Sequence, residues 1–76
     1  MNWADYISWD PRVIYGKPVI SGTRVPVDLV LEKLAKGETF GQLLSAYPHL
    51  NGSQLSACLY YATDLNRNED FILTAT

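Results

Sequence analysis

The sequence has one cysteine, one histidine and no excess of positive charge, and each scarcity removes a class of function. Cys58 alone cannot close an internal disulfide, so the chain reads as one for a reducing compartment, with the cytoplasm as its expected location. His49 stands in a Pro48-His49-Leu50 turn with no second His or Cys nearby, so no metal site is expected. The longest apolar stretch, Val27 to Leu34, is interrupted by Asp28, Glu32 and Lys33, which excludes a membrane-spanning helix. The opening Met1-Asn2-Trp3-Ala4-Asp5 lacks the basic-then-apolar pattern of a signal peptide. Six Lys or Arg stand against eight Asp or Glu, a net charge of −2. Phosphate neutralisation supplies much of the affinity of DNA-binding proteins, so a single copy has little electrostatic hold on nucleic acid.

Catalysis has no visible site either. Asp5, Asp10, Asp28, Glu32, Glu38, Asp64, Glu69 and Asp70 show no pairing with a His or Ser that suggests acid–base chemistry. The chain reads as a binding module, not an enzyme, with no cofactor. Gly16-Lys17-Pro18-Val19-Ile20-Ser21-Gly22-Thr23 has the glycine spacing of a phosphate loop, but no Lys follows the second Gly. Pro18 also removes an amide that would face phosphate, so nucleotide binding is rejected.

What is present is 76 residues, 47% of them hydrophobic, which is material for one domain over 1–76. A chain this short buries only about 60–65% of its unfolded surface. Either the core packs well or a second chain adds apolar contact, and a homodimer is expected. The fold class expected is mainly α: a three-helix helix-turn-helix, homeodomain-like or winged, with a short β-type N-terminal arm. Residues 1–24 form the extended arm or hairpin, with Tyr6-Ile7-Ser8-Trp9 and Pro18-Val19-Ile20 as β-type runs. Residues 26–66 hold the helices and 67–76 the tail.

Helix one carries Val27, Val30, Leu31, Leu34 and Ala35 on one stripe, with Pro26 at its first position and Gly37 as its stop. Helix two opens on Thr39 with Gln42 three residues later, buries Phe40, Leu43, Leu44 and Tyr47, and ends before Pro48. Helix three opens on Asn51 with Gln54, buries Leu55, Cys58, Leu59 and Ala62, and ends near Leu65 or Asn66. Its exposed face would then hold Ser53, Ala57, Tyr60 and Asp64, flanked by Gln54 and Tyr61 on one side and Ser56 and Arg67 on the other.

In a helix-turn-helix the second helix of the pair presents its exposed face to DNA. The DNA-contacting candidates are therefore Arg24, Ser53, Gln54, Ser56, Tyr60 and Arg67. No Arg or Lys precedes Arg67 on that helix, and Asp64 opposes phosphate. A packing unit without nucleic-acid contact is the even alternative. Arg24 has two readings: a cation for phosphate or a partner carboxylate, or a buried fork bonding carbonyls or Asp28. Cys58 is expected to be a buried, inert thiol. Trp3, Tyr6, Trp9, Tyr61 and the apolar tail residues Phe71, Ile72 and Leu73 are the candidate protein-interface residues.

The run Tyr15-Gly16-Lys17-Pro18-Val19-Ile20-Ser21-Gly22-Thr23-Arg24-Val25-Pro26-Val27 resembles the family called domain of unknown function 433. The hallmark is Gly-Lys-Pro, apolar residues, Gly-Thr-Arg and apolar residues again. Leu34-Ala35-Lys36-Gly37-Glu38-Thr39, Tyr47-Pro48-His49-Leu50 and Leu59-Tyr60-Tyr61-Ala62 follow in the same order, so the likeness spans about residues 6 to 63. Gly16, Lys17, Pro18, Gly22, Thr23 and Arg24 are its signature positions. The resemblance implies a helix-turn-helix and a VapB-type antitoxin paired with a PIN-like ribonuclease toxin, inhibiting the toxin and binding its own promoter. The sequence departs from the family at Gly52-Ser53-Gln54, where acidic residues are common. Two further readings stand beside it: a stand-alone DNA-binding regulator, and a protein-interaction module that binds no DNA.

Overall fold

A computed structural model describes residues 1–9, 11–12 and 16–68; the tail candidates Phe71, Ile72 and Leu73 lie outside these. The chain is mainly α, with three helices and a two-stranded arm. A short 3-10 helix, Trp3–Asp5, is followed by strands β1 (Ile7–Trp9) and β2 (Pro18–Ile20). The strands pair antiparallel with Ile7 opposite Ile20, Ser8 opposite Val19 and Trp9 opposite Pro18. Ile7 and Ile20 share the face turned to the helices, and both are buried. Of the two expectations for this arm, extended or hairpin, the hairpin is present; the 3-10 helix before it is not among the expectations, although Asn2 caps it by accepting from Ala4 N–H at 3.1 Å.

Helix α1 spans Val27–Ala35. Val27 and Val30 are buried, and Leu29, Leu31 and Leu34 pack partly buried against the same core. Pro26 sits one position earlier than expected: it caps α1 in extended geometry, ψ 145°, because it also bridges to Val19. The helix closes as its sequence foretells. Gly37, at φ +96°, donates to the Leu34 carbonyl and Glu38 donates to that of Lys33, a Schellman pair that only a left-handed residue permits cheaply.

Helix α2 spans Phe40–Ala46 and starts on a reciprocal capping box. Gln42 N–H donates to Thr39 Oγ1 at 3.1 Å, and Thr39 N–H donates to Gln42 Oε1 at 2.8 Å. Helix α3 spans Gly52–Asn68 and repeats the device, with Asn51 and Gln54 exchanging bonds of 2.8 and 3.0 Å. Between them Leu50 N–H donates to the Tyr47 carbonyl, which tightens the Pro48-His49 elbow and buries Leu50. Each helix packs on the other two, and α3 also rests on the 3-10 helix. Ile7, Ile20, Val25, Val27, Val30, Leu43, Leu50, Leu55 and Cys58 form one core, with no buried polar or charged residue among the described ones.

Helix α3 corrects the sequence reading in three ways. It runs to Asn68, past the end expected at Leu65 or Asn66. Ala57, expected outside, is fully buried, whereas Leu59, expected in the core, is 42% exposed. Asp64 does not face solvent opposite the core; it accepts a bond from the Trp3 indole N–H. The rotation is set by Leu55 and Cys58 docking at zero exposure, and the small Ala57 lets a neighbour close over its side.

Candidate functional site

The signature run resolves into a clamp with one polar residue left over. Gly22 adopts φ +77° at the turn after β2. The Thr23 hydroxyl donates to the Ile20 carbonyl at 2.7 Å and accepts from Val25 N–H at 3.0 Å. Ile20 N–H donates to the Val25 carbonyl at 2.9 Å, closing the loop. Lys17 pairs with Asp28 at 3.2 Å, tying the strand entry to the first turn of α1. Arg24 is exposed on this turn and has no ion pair or hydrogen bond among the described residues. The alternative of a buried Arg24 fork on Asp28 is thereby corrected, since Lys17 holds that carboxylate.

Other charges are mostly answered within the chain. Lys33 pairs with Glu38 at 3.4 Å and Lys36 with Glu32 at 2.9 Å. The Glu32 bond and charge raise the Lys36 pKa above its ordinary value. Arg12 is engaged as well. Of the six basic residues, that leaves Arg24 and Arg67 without a partner among the described residues. Two unattached guanidinium groups make a small electrostatic footprint for a nucleic-acid binder.

The aromatic candidates divide. Trp3 meets Tyr61 edge-to-face at 4.9 Å, and Trp9 meets Tyr61 at 5.9 Å and Trp3 at 6.3 Å. Expected as exposed interface residues, Trp3 and Tyr61 are half-buried in this intramolecular cluster, and Tyr6 is half-buried against the core. Such ring distances are direct contact, so the three rings enclose no space for a cation between them. The cluster fastens the arm to α3. Trp9 alone of the three keeps half its surface, 50% exposed.

The outer face of α3 is the surface that remains. Ser56, Leu59, Tyr60 and Thr63, spaced i, i+3, i+4, i+7, line a shallow groove of about 290 Å³. Tyr60 is 49% exposed beside Leu59. Thr63 Oγ1 donates to the Leu59 carbonyl at 2.9 Å, so its hydroxyl is already satisfied. The remaining DNA candidates lie apart in role: Ser53 is exposed, Gln54 is half-buried with its oxygen held in the capping box, and Arg67 lies exposed in the last turn. The sequence offers this stripe as a second helical periodicity, while the spacing Leu55, Cys58, Leu59, Ala62 places its leucine in the core.

Reactive groups are few. Cys58 is fully buried, and desolvation pushes its thiol up to about 11, so it is protonated and a poor nucleophile at neutral pH. His49 is exposed and stands edge-on to Tyr47. Among the described residues no three His, Cys, Asp or Glu gather as metal ligands, and no helix is long and apolar enough to cross a membrane.

A family model described as "Protein of unknown function (DUF433)" matches residues 7–62. The chain belongs to this DUF433 family. The match covers the hairpin, α1, α2 and most of α3, so the expected likeness holds over the whole described core. The DUF433 chain is 33% identical over 58 residues to the Uncharacterized protein y4eO of Sinorhizobium fredii (strain NBRC 101917 / NGR234). That match covers 76% of this chain and 26% of the relative, so the chain spans about a quarter of that protein's length. A crystal structure of a DUF433 member from Anabaena variabilis ATCC 29413 superposes with a TM-score of 0.76 at 29% identity, covering 91% of this chain and 68% of that one.

Proposed function

We propose that this DUF433 chain is an antitoxin-like binding protein of the cytoplasm that works by protein–protein contact, with the outer stripe of α3 as its contact surface. One observation carries the choice of protein over DNA. The helix that a DNA-binding helix-turn-helix lays in the major groove here presents Leu59 and Tyr60 between Ser56 and Thr63, and the first basic side chain on that face is Arg67, a turn further on. Clustered exposed apolar residues with an aromatic at the centre are what protein interfaces use. The family resemblance supplies the target class, a PIN-like ribonuclease whose activity the chain would inhibit.

The test is co-expression with a PIN-like ribonuclease of the same host. RNA cleavage is suppressed by the wild-type chain and returns with Leu59→Asp. Absence of a complex, with cleavage unchanged by the chain, refutes the antitoxin role. A DNA-binding regulator is the second reading, favoured by Arg24 and Arg67, both exposed and without a partner among the described residues. It requires duplex binding that weakens with salt at a logarithmic slope of about −2, the value for two phosphate contacts. Binding by α3 to protein requires no such slope.

A further inference from the structure

We infer that Asn51-Gly52, in the elbow between α2 and α3, is a deamidation site that the α3 capping box keeps closed in the folded chain. The inference stands apart from which partner α3 contacts. Deamidation begins when the main-chain nitrogen of the following residue attacks the side-chain amide carbon of an asparagine, so the following side chain decides access. Asn51 is followed by glycine, whereas Asn2, Asn66 and Asn68 are followed by Trp3, Arg67 and Glu69. Gly52 has no Cβ, and the space where one would stand is open. As the first residue of α3, its N–H has no acceptor within the helix. Asn51 is exposed, so water reaches it.

The box is what withholds the reaction. Asn51 Oδ1 accepts from Gln54 N–H at 3.0 Å, and Asn51 N–H donates to Gln54 Oε1 at 2.8 Å. The Asn51 carbonyl accepts from Leu55 N–H at 3.3 Å as well. The side-chain amide is thereby held on Gln54, and its carbon cannot swing onto the Gly52 nitrogen until the first turn of α3 opens. Helix ends open at low cost, without the core. The α2 box has the same two bonds, but Thr39 offers no amide carbon to attack. In the open turn the Gly52 nitrogen bonds to Asn51 Cγ, the bond from Cγ to the side-chain nitrogen breaks, and ammonia leaves with the Gly52 amide proton. Water then opens the cyclic imide on either side. One opening gives aspartate, which caps a helix as well as asparagine does. The other routes the main chain through Cγ, lengthens the elbow by a methylene and takes the capping oxygen into the backbone. Either product replaces a neutral amide with a carboxylate and carries the net charge from −2 to −3.

Ageing the full chain at mildly alkaline pH, with and without urea, and mapping its peptides by mass spectrometry tests this. The expected result is that Asn51 converts in urea and stays intact over the same time in the folded chain, with Asn2, Asn66 and Asn68 lagging in urea. Gln54→Ala removes one bond of the box and speeds conversion in the folded chain about fivefold, the factor equal to about 1 kcal/mol at 1.4 kcal/mol per tenfold. Gln42→Ala removes the matching bond from the α2 box and leaves the Asn51 rate unchanged, because the opening is confined to α3. Gly52→Ala slows conversion in urea, where folding plays no part. An Asn51 that stays intact in urea, a folded chain that converts as fast as the unfolded one, or Gln54→Ala without acceleration overturns the inference. Equal acceleration by Gln42→Ala overturns it too, since conversion would then follow unfolding of the whole chain and the α3 box would guard nothing.

Discussion

Replacing Thr23 by Val isolates the role of the signature turn. The substitution keeps shape and β-branching but deletes the hydroxyl that donates to the Ile20 carbonyl at 2.7 Å and accepts from Val25 N–H at 3.0 Å. The Ile20 carbonyl still receives Thr23 N–H at 3.0 Å, so only Val25 N–H is left without a partner. Val25 is buried, so its amide has poor access to water. An unsatisfied buried donor costs about 1–3 kcal/mol, which sets the expected loss near 2 kcal/mol. Chains of this size hold about 4–11 kcal/mol in all, so the loss is large in proportion. It should lower the melting temperature by roughly 8–16 °C.

The assay is urea and thermal unfolding followed by circular dichroism, with two companions. Thr23→Ser keeps the hydroxyl and should fall by less than about 1 kcal/mol. Arg24→Ala removes an exposed side chain without a partner among the described residues and should change stability by no more than about 0.5 kcal/mol. Together they ask whether the Gly-Thr-Arg signature is a clamp followed by a free functional cation. Two results refute that division: Thr23→Val as stable as wild type, or Arg24→Ala as damaging as Thr23→Val.

Three further expectations follow from the same structure. Gly41→Ala should stabilise the protein by about 0.5–1 kcal/mol in urea unfolding, because the added Cβ meets only Thr39 Oγ1, at 3.7 Å, inside a helix. The Cys58 thiol is pushed up to about 11 when folded, above its ordinary unfolded value, so the folded state holds its proton longer. Its contribution to stability is complete below the unfolded pKa and is lost as pH rises through about 11; Cys58→Ala should flatten that alkaline loss, and native Cys58 should resist thiol reagents at pH 7 until the chain is unfolded. Asp64→Ala should free the Trp3 indole N–H and lower stability by about 1 kcal/mol, with a shift in tryptophan emission as the arm loosens; an unchanged spectrum would show that the aromatic contacts alone fix Trp3.

Local signals in the sequence were reliable guides to local structure. The Thr39–Gln42 and Asn51–Gln54 boxes each lie within one turn of chain, so their spacing dictates the bond, and the α1 stripe ends where Gly37 permits a left-handed turn. The misreadings that bear on the candidate site are non-local. Trp3 and Asp64 are 61 positions apart, and nothing near either residue announces the other. Lys17 and Arg24 both precede α1 and both suit Asp28; the hairpin geometry decides for Lys17. The spacing of Leu55, Cys58, Leu59 and Ala62 turns Leu59 inward, whereas the rotation of α3 follows from which residues reach the helices beneath it. A leucine outside and an alanine inside is a packing outcome, and periodicity alone gives two candidate stripes on α3 without ranking them.

That second stripe sets the two functional readings against each other at one residue, Tyr60. If α3 binds a protein partner, Ser56 and Tyr60 are covered, and the helix cannot also enter a DNA groove. Any DNA contact by that complex then falls to Arg24, on a different element. Tyr60→Ala should therefore weaken ribonuclease binding about tenfold or more and leave duplex affinity and its salt slope unchanged. If α3 instead reads DNA, Tyr60→Ala should lower duplex affinity in proportion at every protein concentration, and ribonuclease binding should not move. Measuring both quantities on this one variant separates the mechanisms, since a covered tyrosine and a groove-facing tyrosine cannot give the same pair of results.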